Sequence, residues 1–501
     1  MIAVATAASM LVLVGKHRPV LRPAILALAL LVAAPVEGRT PLQARVEAKL
    51  AEAGPGARFG LVVATEDGRE LIAIAPEQRF IPASNTKIFT TAAAFAALPD
   101  LDRPDIVGGA AVRLERDDAG RDDVVIEGNG DARLSSAPDC VANCLAALAD
   151  AVAERTRTVD DVIGDDRRFP DQRWSPGMSW NNIPTSSGTA VSALTLDNNE
   201  LPMLVTPGAA GEPPKLALLP YYTIDNQAVT VAGDARGLQF DRLPGSFAVR
   251  LTGSIAEGAR PALLRLAIDD PAHYAAWRLK ALLEERGVKV TGAVSVRHRP
   301  PMPGDDPTAR SGDGSPPPPR LPPLAKLTPP PLIEDIAVIN KVSQNVHAEL
   351  LLRRIGSISG SGSIADGTAV VRSMLERAGV PRPNHDFADG SGMSTYNRVA
   401  PRGVVTLLRW IDAQPWGAAW RATLPVAGID GTLARRFRGT ALDGRLFAKT
   451  GTLNATNALS GYMIARSGRT LLFSIFANDV PEGASANRMI DAALEMVAAE
   501  N

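Results

Sequence analysis

A serine hydroxyl becomes a strong nucleophile only when a neighbouring base takes its proton. Of the nine lysines in the chain, only Lys87 has a serine three positions before it, Ser84, in IPASNTKIFTTAAAFAAL. At i and i+3 on a helix the two side chains share a face and reach each other. Lysine acts as the base only if burial and cationic neighbours bring its pKa well below the usual value of about 10.4. Taken alone, the pair reads more simply as a helix-capping serine beside a solvated lysine. Two further clusters change that reading. Ser343-Gln344-Asn345 stands in NKVSQNVHAELLLRR, at the entry to a helix, and Lys449-Thr450-Gly451-Thr452 stands in FAKTGTL, on a strand. Lys449 and Thr450 offer a positive charge and a hydroxyl to a carboxylate, and Gly451 is expected to let a substrate backbone lie close to the strand. Composition alone yields a K-T-G in about one such chain in twenty.

Other chemistries find no support. The five histidines (17, 273, 298, 347, 385) are scattered and form no H-E-x-x-H, so no metal site and no zinc peptidase is expected. There is no G-x-S-x-G elbow and no phosphate-binding G-x-x-x-x-G-K-[ST] loop. GSISGSGSIADG (356–367) reads as a loop between helices, and Asp389-Gly390-Ser391-Gly392 as a tight loop near the site rather than a second nucleophile. His347, four residues after Ser343, reads as a helix-face residue. Cys140 and Cys144 are too few for a zinc site or a disulfide framework; they could form one local disulfide or remain two half-buried thiols.

The elements that must hold these groups follow from the patterning. Two β-rich runs flank Glu66-Asp67-Gly68, a hairpin signature, and a helix is predicted from Asn85 to before Pro99. RLFAKTGTL, NALSGYMIA and RTLLFSIFAND alternate like a three-strand meander, and a helix over Ala484–Ala499 closes the chain. This predicts an α+β fold with one antiparallel sheet made from both ends of the chain and covered by helices. Residues 41–101 and 332–501 would form the main domain. Between them lies an insertion of equal size: 102–209 and 257–298 as an inserted domain, 210–256 as a small β-rich domain nested in it, and 299–331 as a proline-rich, extended, solvated linker. Residues 1–38 combine basic residues, an apolar run and small residues at a cleavage site, a signal for export. With 53 basic and 54 acidic residues and no long cationic block, nucleic acid is not an expected partner.

The S-x-x-K, S-x-N and K-T-G clusters, in this order, match the set shared by serine β-lactamases and penicillin-binding enzymes. The chain resembles the penicillin-binding D-alanyl-D-alanine carboxypeptidases/endopeptidases of the DacB type (low-molecular-mass class C). The resemblance runs through IEGNGDARL (126–134), VIGDDRRF (162–169), Trp174, Pro176-Gly177 and TLDNNE (195–200) in the insertion. It continues through ADGSGMSTYN (388–397), LPVAGIDGTLARRF (424–437) and FAKTGTLNATNALSGY (447–462). Gln344 stands where that family more commonly has Asp, and the proline-rich stretch looks longer than expected.

The resemblance implies a β-lactamase/transpeptidase-like fold with a large insertion between the first and second motifs. It implies that Ser84 attacks the carbonyl between two D-alanines and that Lys87 is the general base. Ser343 would relay a proton to the leaving amine, and Asn345 would bind the peptide's amide. Lys449 would supply positive potential, and Thr450 would bind the terminal carboxylate. Backbone N–H groups of Ser84 and Thr452 would form an oxyanion hole, each donor worth about 3–4 kcal/mol. Asp165 and Phe169 are expected to reach from the insertion to the side chain of the peptide's third residue, against a plainer reading as a turn carboxylate and a core aromatic. The implied partners are peptidoglycan stem peptides, with β-lactams as covalent inhibitors, no cofactor and at most peripheral membrane contact. The export signal and the implied substrate together point to the periplasm. The rival readings are a serine β-lactamase and a catalytically silent wall-binding homologue.

Overall fold

The computed structural model describes residues 40–310 and 322–501, so the expected export signal at 1–38 lies outside the described residues. The central element is a five-stranded antiparallel sheet built from β1 (Arg58–Thr65), β2 (Glu70–Ile74), β3 (Leu446–Leu453), β4 (Thr456–Ile464) and β5 (Thr470–Asn478). Their spatial order is β3-β4-β5-β1-β2, so the two ends of the chain meet where β1 pairs with β5, with Leu61 opposite Ile475. The helices of this part include α1 (Pro41–Ala51), α2 (Thr86–Ala97), α3 (Leu332–Lys341), α4 (Asn345–Gly356), α5 (Ile364–Arg377), α6 (Pro401–Asp412) and α7 (Ala486–Glu500), with a shorter helix at Gly417–Ala422. The α+β class and the two-ended sheet expected from the patterning are both present.

Strand alternation explains why β1 reads as a continuous apolar run. Leu61 and Val63 face one side with Leu50 of α1 and Leu494 of α7. Val62 and Ala64 face the other with Phe89 of α2, Leu351 of α4 and Leu408 of α6. A strand covered on both faces has no polar side to show. Helix α4 is deeply embedded: Val346 through Arg353 are all buried, including His347, Glu349 and Arg353.

The segment between α2 and α3 has its own core. A sheet of Val294–Arg297, Val162–Asp165, Asp122–Glu127, Ala111–Arg116 and Ala325–Lys326, in that order, packs with helices Leu145–Arg155 and Pro271–Glu285. A smaller sheet forms from four strands within 223–256. Cys140 and Cys144 are joined in a disulfide.

The stretch 299–331 departs from the solvated connector its composition suggested. Ala325–Lys326 pairs with Ala111–Val112 as the edge strand of the larger sheet, and Arg299 grips Asp305 at 2.9 Å. Arg310 reaches Asp366 of α5 at 2.7 Å, so the described parts of this stretch are tied to both halves of the molecule. Proline removes backbone donors but does not prevent edge-strand pairing. Among the described residues, no helix is long and apolar enough to cross a membrane.

Candidate active site

The three motifs converge from elements far apart in sequence. Ser84 lies in the short 3-10 turn Ala83–Asn85 that leads into α2, and Lys87 occupies the first turn of that helix. Ser343 sits at the bend between α3 and α4, and Lys449 to Thr452 lie on the edge strand β3. The bends are strained: Ala83 has φ 48° and Ser343 has φ 65°, left-handed values that cost a non-glycine residue about 1–2 kcal/mol. Such strain persists where surrounding contacts over-determine the backbone, often at functional sites.

Two close approaches hold the nucleophile turn in place. Asn85, fully buried, donates from Nδ2 to the Lys449 carbonyl at 2.8 Å. A Cβ on Gly451 would lie 2.7 Å from the Pro82 carbonyl oxygen and 3.2 Å from Asn85 N. Gly451 therefore admits the protein's own Ser84 turn against β3, a correction to the expectation that it makes room for substrate. Gly392 does the same from the other side: with φ +90°, its Cβ would stand 1.9 Å from the Ala83 carbonyl oxygen.

Lys87 is fully buried, and its ammonium nitrogen has three partners: Ser84 Oγ at 2.9 Å, Asn345 Oδ1 at 2.7 Å and the Ser391 carbonyl at 2.6 Å. Burial brings its pKa down to about 7, against the opposing pull of Asp389 and Glu349. A neutral amine keeps two hydrogens and one lone pair. Asn345 Oδ1 and the Ser391 carbonyl can only accept, so they take the two hydrogens and leave the lone pair facing the one partner able to donate, Ser84 Oγ–H.

Lys449 is also fully buried and donates to Ser343 Oγ at 2.9 Å and to the Thr450 carbonyl at 3.0 Å. Burial and the nearby Lys87 charge hold its pKa well below the ordinary lysine value. Thr450 Oγ1 meets Thr432 Oγ1 at 2.8 Å. The outer edge of β3 is closed by residues 425–427 only as far as Ala448: Ala427 N donates to Leu446 and Ala448 N to Pro425. Among the described residues no backbone bond continues this pairing beyond Ala448, so Lys449–Leu453 presents an edge to the cleft.

Several functional groups escaped the sequence reading. Glu349 Oε1 accepts from Gly390 N at 3.0 Å and Ser391 N at 2.8 Å, fixing the loop whose carbonyl binds Lys87. Asp389 accepts from Gly392 N, Ser394 N and Asn397 Nδ2, closing the same loop. Arg353 bonds Gln172 and has its pKa lowered to about 10 by burial, opposed by Glu349 and Asp389. A signal for part of this set was available, because Asn345, Glu349 and Arg353 recur at four-residue spacing through an apolar helix.

The insertion contributes to the site through its backbone. The Ser187 carbonyl accepts from Asn345 Nδ2 at 2.8 Å, which fixes the amide so that its oxygen faces Lys87. His347 lies on a face of α4, as expected, and that face is buried: it sits between Asp335 and Asn198, whose Oδ1 lies 2.7 Å from its Nε2. Asp165 and Phe169 do not reach the cleft. Asp165 is 2% exposed on its sheet, held by Arg167 at 2.7 Å and Arg113 at 3.4 Å, because a buried carboxylate requires cationic partners. Phe169 packs among Ala132, Ala193, Val346 and Leu350, in space left by Gly130 and Gly362.

A serine with a buried lysine at its hydroxyl, beside a second serine–lysine pair and an open strand edge, defines a serine acyl-transfer enzyme. The D-Ala-D-Ala carboxypeptidase 3 (S13) family profile matches residues 42–501. The D-alanyl-D-alanine carboxypeptidase of an Actinomadura species is 35% identical over 444 residues, covering 84% of this chain and 78% of that protein. Penicillin binding protein 4 of Haemophilus influenzae shares the fold at TM-score 0.73 and 23% identity, over 90% of this chain and 96% of that one. A second structure of that protein, complexed with a β-lactam, aligns at TM-score 0.68 and 22% identity, over 90% and 97% of the two chains. The chain belongs to the D-Ala-D-Ala carboxypeptidase 3 (S13) family. It is a hydrolase, a serine DD-peptidase of peptidoglycan, and this family's work on the wall lies outside the cytoplasm.

Proposed function

We propose that Ser84 is the nucleophile and neutral Lys87 its general base, in an enzyme that removes the terminal D-alanine from stem pentapeptides, opens D-alanyl cross-links, or does both. The observation that carries this reading is the partner set of Lys87, which leaves its lone pair for the Ser84 proton. Ser84 Oγ adds to the D-alanyl carbonyl carbon as its proton passes to Lys87 Nζ. The oxyanion forms against the backbone N–H groups of Ser84 and Thr452. Collapse breaks the C–N bond, and the amine leaves with a proton relayed through Ser343, whose hydroxyl Lys449 holds. Water then hydrolyses the Ser84 ester. Thr450 and Lys449 offer the hydroxyl and positive potential for the substrate's terminal carboxylate, and Asn345 its amide. The strand edge from Lys449 to Leu453 suits a peptide backbone laid antiparallel to it.

β-Lactams are expected to acylate Ser84, their strained amide standing in for the D-alanyl bond. The export signal read in residues 1–38 supports action in the periplasm. The test is intact mass against time for the protein lacking residues 1–38, mixed with excess benzylpenicillin. A persistent adduct of one drug mass on Ser84 supports the reading. Drug consumed without an adduct would mean a β-lactamase; no adduct and intact drug would mean a silent homologue. The amino terminus of protein secreted from the full-length gene tests the export signal, and an uncleaved product would overturn it.

A further inference from the structure

The insertion does not close completely over Ser343. An open cleft of about 390 Å3 remains there, walled by Ser187, Glu200 and Arg265 of the insertion and by Val342, Ser343 and Gln344 of the α3–α4 bend. Its side of the site follows from the chemistry: if Ser343 passes the proton to the departing amine, the leaving group stands beside Ser343, and the cleft continues from that point. A terminal D-alanine has only a methyl group and a carboxylate beyond its amine and leaves such a space empty. The amine released from a cross-link carries a whole second stem peptide.

The cleft is furnished for a charged peptide. Glu200, its side chain 9% exposed, accepts from Arg265 Nη1 at 3.3 Å. Gln344 lines the same cleft as Glu200. Arg265 lies diagonally across the strand pair from Glu200, since Arg265 faces Pro202 and Ala267 faces Glu200 in register. With its side chain 52% exposed, Arg265 has guanidinium N–H groups left for an incoming carboxylate.

We propose that this cleft receives the leaving-group peptide of a D-alanyl cross-link, with Arg265 pairing one of that peptide's carboxylates. The proposal rests on the DD-peptidase reading and makes the cross-linked dimer a substrate. The bond broken is the D-alanyl amide: the acyl carbon passes to Ser84 Oγ, and the amine, with the serine's relayed proton, departs in the cleft.

The test compares kcat/KM for a purified stem pentapeptide and a D,D-cross-linked muropeptide dimer, with products followed by mass spectrometry. The wild-type protein should cleave both. In Arg265→Ala the dimer-to-pentapeptide ratio should fall at least tenfold, chiefly through KM for the dimer, and Arg265→Lys should recover part of it. Ser186 also lines the cleft, and Ser186→Trp, which narrows it, should lower the ratio as well. An unchanged ratio, a parallel loss on both substrates, or a wild-type protein that cleaves only the pentapeptide would overturn the cleft assignment. A wild-type protein that cleaves neither substrate and takes up no benzylpenicillin would overturn the DD-peptidase reading, and the cleft with it.

Discussion

Lys87 Nζ and Asn345 Oδ1 lie 2.7 Å apart, although the two residues are 258 positions apart in the chain. The amide on Asn345 is oriented by the insertion's Ser187 carbonyl, so the inserted segment helps decide which way the lone pair of Lys87 points. Adding a charge at this contact has a definite sign. Asn345→Asp would set a carboxylate against the buried ammonium and raise the Lys87 pKa. The acid limb of the acylation rate should then move to higher pH; a limb that stays put or moves acid would contradict the assignment of Lys87 as base.

In the wild-type protein, acylation requires neutral Lys87, whose pKa is lowered to about 7 by burial. The second-order rate constant for benzylpenicillin should therefore rise with pH through about 7. Ser84→Ala should abolish acylation, and Lys87→Ala should lower it by about 100-fold or more at neutral pH. Near-normal rates in Lys87→Ala would remove lysine from the role.

Glu349 acts on the same base from behind. Glu349→Gln keeps an oxygen for the Gly390 and Ser391 amides while removing a carboxylate that raises the Lys87 pKa. The acid limb should shift to lower pH with the loop intact. Glu349→Ala leaves two buried amides without their acceptor, at about 1–3 kcal/mol each, and should lower both Tm and activity. An alkaline shift in Glu349→Gln would refute the electrostatic part of this account.

Gly392→Ala tests the close packing around the nucleophile turn. Its Cβ would meet the Ala83 carbonyl oxygen at 1.9 Å, and φ +90° already disfavours a side chain. The expected result is loss of acylation and destabilisation of about 2 kcal/mol or more. Wild-type acylation kinetics would show that the turn can move without harm.

His298 supplies a pH dependence remote from the chemistry. Hydrogen bonds to Asp166 at 2.9 Å and Asp270 at 3.1 Å raise its pKa to about 10 from 6.5. A group raised on folding stabilises fully below its unfolded pKa and loses that contribution as pH rises through the folded one. The Tm deficit of His298→Ala should therefore be largest near pH 6 and shrink as pH rises through about 10. A deficit constant with pH would mean that His298 acts through packing alone.

The motifs were legible in sequence because their chemistry depends on residue type and short spacing: Ser84 and Lys87 share one helix turn, and Lys449 to Thr452 one strand. The two-ended sheet was legible because β1 and β5 carry apolar runs that only a covered sheet can bury. The acids behind Lys87 were half visible, since Glu349 follows the helical repeat of Asn345, while Asp389 sits in a loop that reads as lying near the site but without a role for its carboxylate. Asp165 and Phe169 lie within a segment that resembles the family, yet only the packing shows that they serve the insertion's interior. The partners of Lys87, the Ser187 carbonyl and the cleft at Glu200 and Arg265 come from segments scores or hundreds of residues apart. Residue types and spacing determined which reaction this chain is equipped for. The pKa of Lys87, the direction of its lone pair and the space left beside Ser343 were decided by the tertiary structure, because desolvation and hydrogen-bond geometry exist only once those segments are packed together.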